Sequence, residues 1–331
     1  MRFRFSDEQR LIRTEVRTLL EREWTAANLR AAWDSGEPAL GIRRRLAGLG
    51  IFGITAPERL GGIGGDELDL VLVLEEFGRA AVPDALAEQA AVAVPLLAAA
   101  GGGIAEEWLP RVAAGDATIA VALESRPYVP DADVAGLLLV ELDGKVIVVE
   151  RSAAELVPQH SVDSSRRLFS VAAKNGVSLG IDSAALELAR QRTTFATAAV
   201  LLGLAERMLD MTVAYAKERH QFGRAIGAFQ AIKHRLADTL AAIELARPVV
   251  YAAAWSLARS QADSGASVAL AKLFANRAAD SAARQSLQVH GGMGFAAEHD
   301  LHLWLKRAKA LELASGGSLA QLDHLAAHLG L

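Results

Sequence analysis

Cysteine is absent from this chain of 331 residues, and aromatic residues are scarce at 5%. The lack of cysteine excludes disulfide bonds and thiolate chemistry, and it fits the reducing cytosol. Because 52% of the residues are nevertheless hydrophobic, the core must consist mainly of alanine and aliphatic side chains. Alanine has the highest helix propensity, so this composition favours closely packed helices.

The sequence also lacks an excess of basic charge and a long hydrophobic run. The net charge of −4 provides no basic field for nucleic acid. The most apolar run, residues 90–100, contains Pro95 and is too short to span a bilayer. Residues 1–6 show no signal peptide and lead directly into a charged helix. We therefore expect a cytoplasmic protein that neither binds nucleic acid nor spans a membrane, and we predict no metal site.

The hydrophobic pattern divides the chain into three parts, with predicted boundaries at 1–116, 117–181 and 182–331. The first part is helical, and Ser6 is its expected first N-cap. The middle part contains short apolar or β-branched runs that predict strands at 119–123, 136–142, 145–149 and 168–172. Asp143-Gly144 between two of these runs indicates a hairpin. The last part is a series of helices punctuated by Gly203 and by later glycine-rich breaks, so the chain is predicted to be mainly α.

The most informative stretch is a helix–turn–helix pattern around residues 215–238. Gly223 and Gly227 supply backbone freedom in the turn. Arg219, Arg224 and Gln230 cluster around it, and donors at such a junction suit a phosphate or pyrophosphate. From these residues alone, a helical hairpin with a solvated basic turn is an equally good interpretation.

Two ordered motifs make a family resemblance specific. The segment from Arg219 to Gln230 reads Arg-x-x-Phe-Gly-x-x-Ile-x-x-Phe-Gln, and the segment from Gln288 reads Gln-x-x-Gly-Gly-x-Gly. Both resemble signatures of acyl-CoA dehydrogenases. The Pro-Glu-x-x-Gly-Gly-x-Gly loop at 57–64, followed by Leu-Glu-Glu-Phe-Gly-Arg at 74–79, resembles the N-terminal domain of that family. The resemblance covers about the first 115 residues and everything after about 180.

This resemblance implies an N-terminal helical domain, a middle β domain and a C-terminal four-helix bundle. It also implies FAD as the cofactor. In the family, one subunit's turn and glycine segment reach across to FAD held mainly by a neighbouring subunit. Carried over to this sequence, the implied FAD contacts are Arg219, Gln221, Phe222, Gln230, Gln288, Gly291 and Gly292.

The middle part departs from the family pattern. It is shorter than usual and lacks the Thr-Glu-Pro, Gly-Ser-Asp and Trp-Ile-Thr-Asn segments. The position after residues 121–123 reads Glu-Ser-Arg-Pro instead. We therefore expect a reduced β domain with altered walls around the flavin ring and the acyl chain.

The residue that performs proton abstraction is missing as well. Family members remove the α-proton of an acyl thioester with a glutamate, while FAD takes the β-hydride, and the base needs a water-poor pocket. The two positions that carry this glutamate in the family fall on Ser315 and Thr193. No catalytic residue is therefore predicted here, although Glu312 or Glu187 remains open as a displaced base. His290, inside the glycine segment, is assigned to packing or to an FAD phosphate.

These features resemble the subunits of heteromeric α2β2 acyl-CoA dehydrogenases of bacterial steroid side-chain breakdown. The hypothesis is a non-catalytic, FAD-contacting partner of a second subunit that carries the glutamate. Two alternatives remain: a self-sufficient homo-oligomer with a displaced base, and a flavin-free scaffold or acyl-CoA-binding protein. Flavin content of the isolated chain distinguishes them.

Overall fold

The computed structural model describes residues 4–125, 127–173 and 175–331. Residues 1–3, where no signal peptide is expected, lie outside the described residues. Arg126, in the segment that departs from the family pattern, lies outside them as well. Within that range the structure is mainly helical, and its α-helices, α1 to α12 in order, are Asp7–Glu23, Ala26–Ser35, Leu40–Gly48, Glu67–Arg79, Asp84–Glu88, Val94–Ala100, Gly102–Ala113, Ser183–Glu218, Gln230–Ala258, Ser264–His290, Leu301–Leu313 and Ser318–His328. A π-helical turn, Gln89–Ala93, joins α5 to α6.

The first helix begins where the sequence predicts. The Ser6 hydroxyl accepts the Gln9 backbone N–H at 3.2 Å, and the Gln9 side chain accepts the Ser6 N–H at 2.9 Å. This reciprocal capping box satisfies two backbone donors that a helix start otherwise leaves free. The predicted N-cap is therefore confirmed.

The strands, β1 to β9 in order, are Ile119–Ala122, Val129–Pro130, Leu137–Leu142, Lys145–Glu150, Glu155–Gln159, Leu168–Ala172, Val177–Ser178, His220–Gln221 and Arg224–Ala225. The middle segment forms a four-stranded sheet in the order β1-β3-β4-β7 and a three-stranded sheet in the order β2-β6-β5. All four predicted strands are confirmed. The others were missed because β2 and β7 have two residues each and β5 is polar and contains Pro158.

The predicted hairpin is also confirmed. Strands β3 and β4 pair antiparallel, with Leu142 opposite Lys145. Both connecting residues are left-handed, with φ of 51° at Asp143 and 71° at Gly144. Two left-handed residues in a two-residue loop match the twist of the flanking strands.

Helix α8 corrects one prediction, because Gly203 does not interrupt it. The helix is continuous over 36 residues. A Cβ on Gly203 would lie 1.9 Å from the Glu75 carbonyl oxygen of α4, and a Cβ on Gly78 would lie 2.0 Å from the Val200 carbonyl oxygen of α8. The two glycines therefore allow backbone-to-backbone contact between α4 and α8, at the known cost of glycine within a helix.

A buried ion network fastens other helices to α4. The Glu75 carboxylate is fully buried and accepts from Arg247 of α9 at 2.7 Å and from the Tyr251 hydroxyl at 2.9 Å. Arg13 of α1 lies 3.2 Å from the same carboxylate and 2.6 Å from Glu76. Burial raises the pKa of Glu75 above its ordinary value, although the arginines oppose this. A buried carboxylate requires such partners.

Helix α9 bears on the prediction that the chain spans no membrane. It is the described helix that is long and apolar enough to cross a membrane, and 39% of its most apolar window is buried. This is weak evidence for a span, because core helices of helical proteins pass the same test. Here α9 packs on α8, α10 and α4 and carries Arg247 of the ion network.

We predict that Gly203→Ala destabilises the protein, because its methyl group would overlap the Glu75 carbonyl oxygen. Overpacking of this kind costs about 1–3 kcal/mol, measurable by chemical denaturation. Gly41→Ala is the matched control, since Gly41 also lies in a helix and an added Cβ meets nothing within 4 Å. That variant should gain up to about 1 kcal/mol. Equal stability of the two variants would contradict the close α4–α8 contact.

Candidate functional site

The turn after α8 is a small hairpin. His220 pairs with Ala225 and Gln221 with Arg224 in an antiparallel two-residue ladder. Phe222 and Gly223 connect the two strands with φ of 53° and 79°. The Phe222 side chain is 92% exposed. The left-handed backbone at Phe222 therefore presents a large apolar ring to solvent.

The predicted donors of this turn face solvent. Arg219 is exposed, and its side chain makes no hydrogen bond or ion pair within the described residues. The Arg224 guanidinium lies 4.2 Å from the Phe229 ring centroid, and Phe222 meets the same ring edge-on at 6.1 Å. Gln230 contacts His234 at 3.0 Å. The turn is thus a preformed surface with at least one cationic donor available.

The glycine segment lies at the same end of the bundle as this turn. Helix α10 ends at His290, and residues 291–295 form a 3₁₀ turn. The His290 ring stacks on Tyr215 of α8, with centroids 4.2 Å apart. Gln288, Gly291 and Gly292 are exposed. A Cβ on either glycine would meet nothing within 4 Å, so these positions leave an open surface for a ligand.

His290 itself is inside the protein. Its side chain is buried, and Nδ1 contacts the Ser286 carbonyl oxygen at 2.8 Å. Burial lowers its pKa, the hydrogen bond to Ser286 opposes this, and His299, whose ring centroid is 4.7 Å away, lowers it further. Of the two roles assigned to His290 from sequence, this geometry supports packing.

The two family positions for the base converge on one cavity. A cavity of about 520 Å³ is lined by both Thr193 and Ser315. The Thr193 hydroxyl donates to the Ala189 carbonyl oxygen at 2.9 Å. Ser315 has a left-handed φ of 58°, and its buried Oγ has no hydrogen-bond partner within the described residues. Neither residue supplies a carboxylate.

The displaced acids considered from sequence differ in position. Glu187 lines the cavity and lies 3.3 Å from both the Arg190 guanidinium and the Gln191 amide. Glu312 instead contacts Lys309 at 2.9 Å. Both carboxylates are therefore in ion pairs, and of the two only Glu187 is among the residues that line the cavity.

Other residues that line this cavity were not identified from the sequence. His324 and His328 of α12 line the same cavity. Their four-residue spacing places them on one face of a helix, and this is the sequence signal that could have identified them. Glu88, which is buried, lines a smaller space of about 20 Å³ that Thr193 also lines. That volume holds about one water molecule. Nothing in the local sequence distinguishes Glu88 from a solvated helical glutamate.

The predicted cofactor residues and the base cavity lie at opposite ends of α8. Thr193 and Arg219 are separated by about 39 Å along a straight helix at 1.5 Å per residue. Antiparallel α10 spans the same distance, since Gly265 lies near Gln191 and His290 near Tyr215. The predicted FAD contacts and the predicted base positions are therefore far apart within one chain.

Comparison with known proteins identifies the class. Residues 6–116 match the acyl-CoA dehydrogenase N-terminal domain, and residues 179–330 match the acyl-CoA dehydrogenase C-terminal domain. The chain is 34% identical to acyl-CoA dehydrogenase IpdE2 of Mycolicibacterium smegmatis over 98% of this chain and 99% of that protein. It belongs to the acyl-CoA dehydrogenase family, as its motifs indicate.

Two solved structures share this fold at 25% identity. The ChsE4–ChsE5 complex from Mycobacterium tuberculosis has a TM-score of 0.85 and covers 100% of this chain and 99% of that chain. The Tcur3481–Tcur3483 steroid ACAD has a TM-score of 0.87 and covers 98% of both chains. The mainly α fold predicted from sequence is therefore confirmed.

We predict that His290 makes folding stability depend on pH. Its pKa in the folded protein lies below the ordinary value of 6.5, so the unfolded chain binds more protons once the pH falls below that value. The stabilisation is present above pH 6.5 and is lost as the pH falls toward the folded-state pKa. His290→Gln should flatten this dependence in denaturation experiments at several pH values.

The matched control is His220→Gln, because the His220 ring is exposed. Burial also lowers the pKa of His302, so some of the slope should persist in His290→Gln. An unchanged slope in His290→Gln would show that the buried ring is not the titrating group.

Proposed function

We propose that this chain is a subunit of an FAD-dependent acyl-CoA dehydrogenase whose catalytic glutamate is supplied by a second, homologous subunit. The observation that carries the proposal is the cavity shared by Thr193 and Ser315, the two family positions for the base. A hydroxyl cannot replace a carboxylate as a general base at neutral pH without a base of its own. The chain keeps the family's fold and lacks its proton acceptor.

The proposed FAD contacts are Arg219, Gln221, Phe222 and Gln230 of the turn, with Gln288, Gly291 and Gly292 of the glycine segment. Their geometry fits a diphosphate. Arg219 is an exposed guanidinium with no side-chain partner in the described range, and the two glycines present open backbone. FAD, when bound, supplies the redox chemistry, and this chain's residues bind and orient it.

The separation along α8 supports the need for a neighbouring subunit. The proposed FAD contacts lie at one end of the helix and the cavity lies at the other. A neighbour in the opposite direction would place its own cavity beside this chain's turn. The glutamate would then be the neighbour's, and this chain would contribute the diphosphate contacts.

We propose that the neighbour packs on α9 and α10. Leu240 and Leu245 of α9 are 48% and 63% exposed, and Leu270 of α10 is 38% exposed. Exposed leucines on long helices favour burial against another helical surface. The similarity to the ChsE4–ChsE5 complex favours a homologous chain as the occupant, and we propose an α2β2 heteromer.

The remaining parts of the proposal concern substrate, location and organisation. We propose an acyl-CoA thioester as the substrate and, from the similarity to a steroid ACAD, a steroid-derived acyl group. A cytoplasmic location fits the absence of cysteine. The three parts at 1–116, 117–181 and 182–331 are proposed as domains.

One alternative has an observation in its favour. Glu187 lines the 520 Å³ cavity, so a self-sufficient enzyme with a displaced base is the second candidate. Its carboxylate is half exposed and lies beside Arg190. The base of this reaction needs a water-poor pocket, whereas this carboxylate is open to solvent. This environment favours the partner-base model.

We predict that Arg219→Ala weakens FAD binding by the assembled complex. A charge-assisted contact contributes about 1.5–3 kcal/mol, so the dissociation constant for FAD should rise by roughly tenfold to a hundredfold. Lys217→Ala is the matched control, because Lys217 is an exposed cation two residues earlier on α8. If both variants raise the dissociation constant for FAD equally, the effect comes from net charge and not from a specific contact of Arg219.

We predict that no carboxylate of this chain is essential for turnover by the complex. Loss of a sole general base lowers turnover by about 10²–10⁴-fold. Glu187→Gln, Glu312→Gln and Glu88→Gln should each retain turnover within about tenfold of the unmodified complex, measured with an artificial electron acceptor. The isolated chain should show no dehydrogenation of acyl-CoA.

Two controls accompany these variants. Flavin content and oligomeric state must match those of the unmodified complex. A fall in turnover can then be assigned to the reaction itself and not to loss of assembly. Replacing the catalytic glutamate of the partner subunit should abolish turnover. Collapse of turnover in Glu187→Gln, with flavin and assembly intact, would place the base in this chain.

A further inference from the structure

Another cavity lies where α3, α7 and the start of the β segment meet. Its volume is about 290 Å³, and its lining includes the side chains of Arg43, Arg44, Arg111, Trp108, Asp116 and Thr118. Three guanidinium-bearing residues and one carboxylate give this lining a positive balance. It contains none of the proposed FAD contacts and neither base position.

Arg43 is the unusual member of this group. Its side chain is only 7% exposed, and its guanidinium donates to the Gly115 carbonyl oxygen. No carboxylate lies within ion-pair distance of Arg43 in the described part of the chain. A buried charge without a counter-ion is costly, and proteins normally pair such groups.

The surroundings of Arg43 strengthen this imbalance. Burial lowers the pKa of Arg43, and neighbouring Arg44 lowers it further, while Asp116 and Asp131 act in the opposite direction. On the other wall, the Arg111 guanidinium lies 4.7 Å from the Trp108 ring centroid. The carboxylate nearest to Arg111 is Glu107, at 3.8 Å on the same helix.

Two other arginines of this protein illustrate the usual pairing with a carboxylate. Arg307, which is 1% exposed, binds Asp163. Arg17, in the lining of a different cavity of about 200 Å³, donates two hydrogen bonds to Glu76. Arg43, by contrast, has no carboxylate within ion-pair distance in the described residues, and Asp116 and Asp131 act on it only from farther away.

We propose that the cavity between α3, α7 and the β segment is a binding site for a phosphate group, with Arg43 at its base and Arg44 and Arg111 at its rim. Guanidinium groups match the oxygen geometry of phosphate and bind it through charge-assisted hydrogen bonds. The volume accommodates free phosphate or the phosphate end of a nucleotide. The Trp108 ring provides an aromatic wall for a planar group attached to it.

Titration calorimetry on the intact protein, assembled with its partner subunit where one is required, tests the site. The probes are inorganic phosphate and AMP, each compared with chloride at equal ionic strength. We expect binding of one or both by the unmodified protein. Arg44→Ala and Arg111→Ala, both at exposed positions, should each weaken that binding by roughly tenfold or more. Arg44→Lys should retain part of it.

The matched control is Arg45→Ala. Arg45 is exposed on the same helix as Arg43 and Arg44, but it binds Glu23 at 2.6 Å and does not line the cavity. Its removal changes the net charge by the same amount and should leave phosphate binding unchanged. Binding of AMP alone would assign the site to a nucleotide, and binding of phosphate alone to the free anion.

Arg43→Met separates anion binding from a structural role. In chloride this variant should melt no lower than the unmodified protein, because it removes an unpaired buried charge. In phosphate it should lack the rise in melting temperature that bound ligand produces. The proposal is overturned if neither probe binds, if binding persists in Arg44→Ala and Arg111→Ala, or if Arg43→Met melts lower by the same amount in both buffers.

Discussion

The close contact between α4 and α8 is the constraint on which the rest of this structure depends. Gly78 and Gly203 bring the two backbones together, and the approach leaves no space for side chains between the helices. Polar groups at such a junction need internal partners, because water is excluded. The Glu75 carboxylate finds them in Arg13, Arg247 and Tyr251. Thus the N-terminal helices and the C-terminal bundle form one core.

The length of α8 determines how function is distributed. A straight helix of 36 residues carries Thr193 near its start and the hairpin at Phe222 just after its end. The two regions are too far apart within one chain to act on the same atoms. A subunit of this design can lose one of these regions and keep the other, provided that a neighbouring subunit completes each pair. This geometry supports the neighbouring subunit of the proposed heteromer.

The cavity lined by Ser315 has a defined backbone geometry. Ser315 has a left-handed backbone conformation, and its buried hydroxyl has no partner in the described range. Lys272, which is fully buried, donates to the carbonyl oxygens of Leu311 and Glu312. The segment that leads to Ser315 is therefore held in place by buried hydrogen bonds.

Local chemistry was readable from the sequence alone. The Asp143-Gly144 hairpin, the Ser6 cap and the turn at Phe222 and Gly223 each depend on the conformational preferences of a few adjacent residues. The identities of Thr193 and Ser315, neither of which is a carboxylate, are likewise read directly from the sequence. Tertiary structure decided the features that depend on contacts between residues far apart in the sequence. Gly203 looked like a helix end because glycine has low helix propensity, whereas packing against α4 keeps the helix intact. The position of Thr193 and Ser315 in one cavity, the burial of Glu88 and the lack of an ion pair for buried Arg43 within the described residues arise between segments far apart in the chain, and no local preference encodes them.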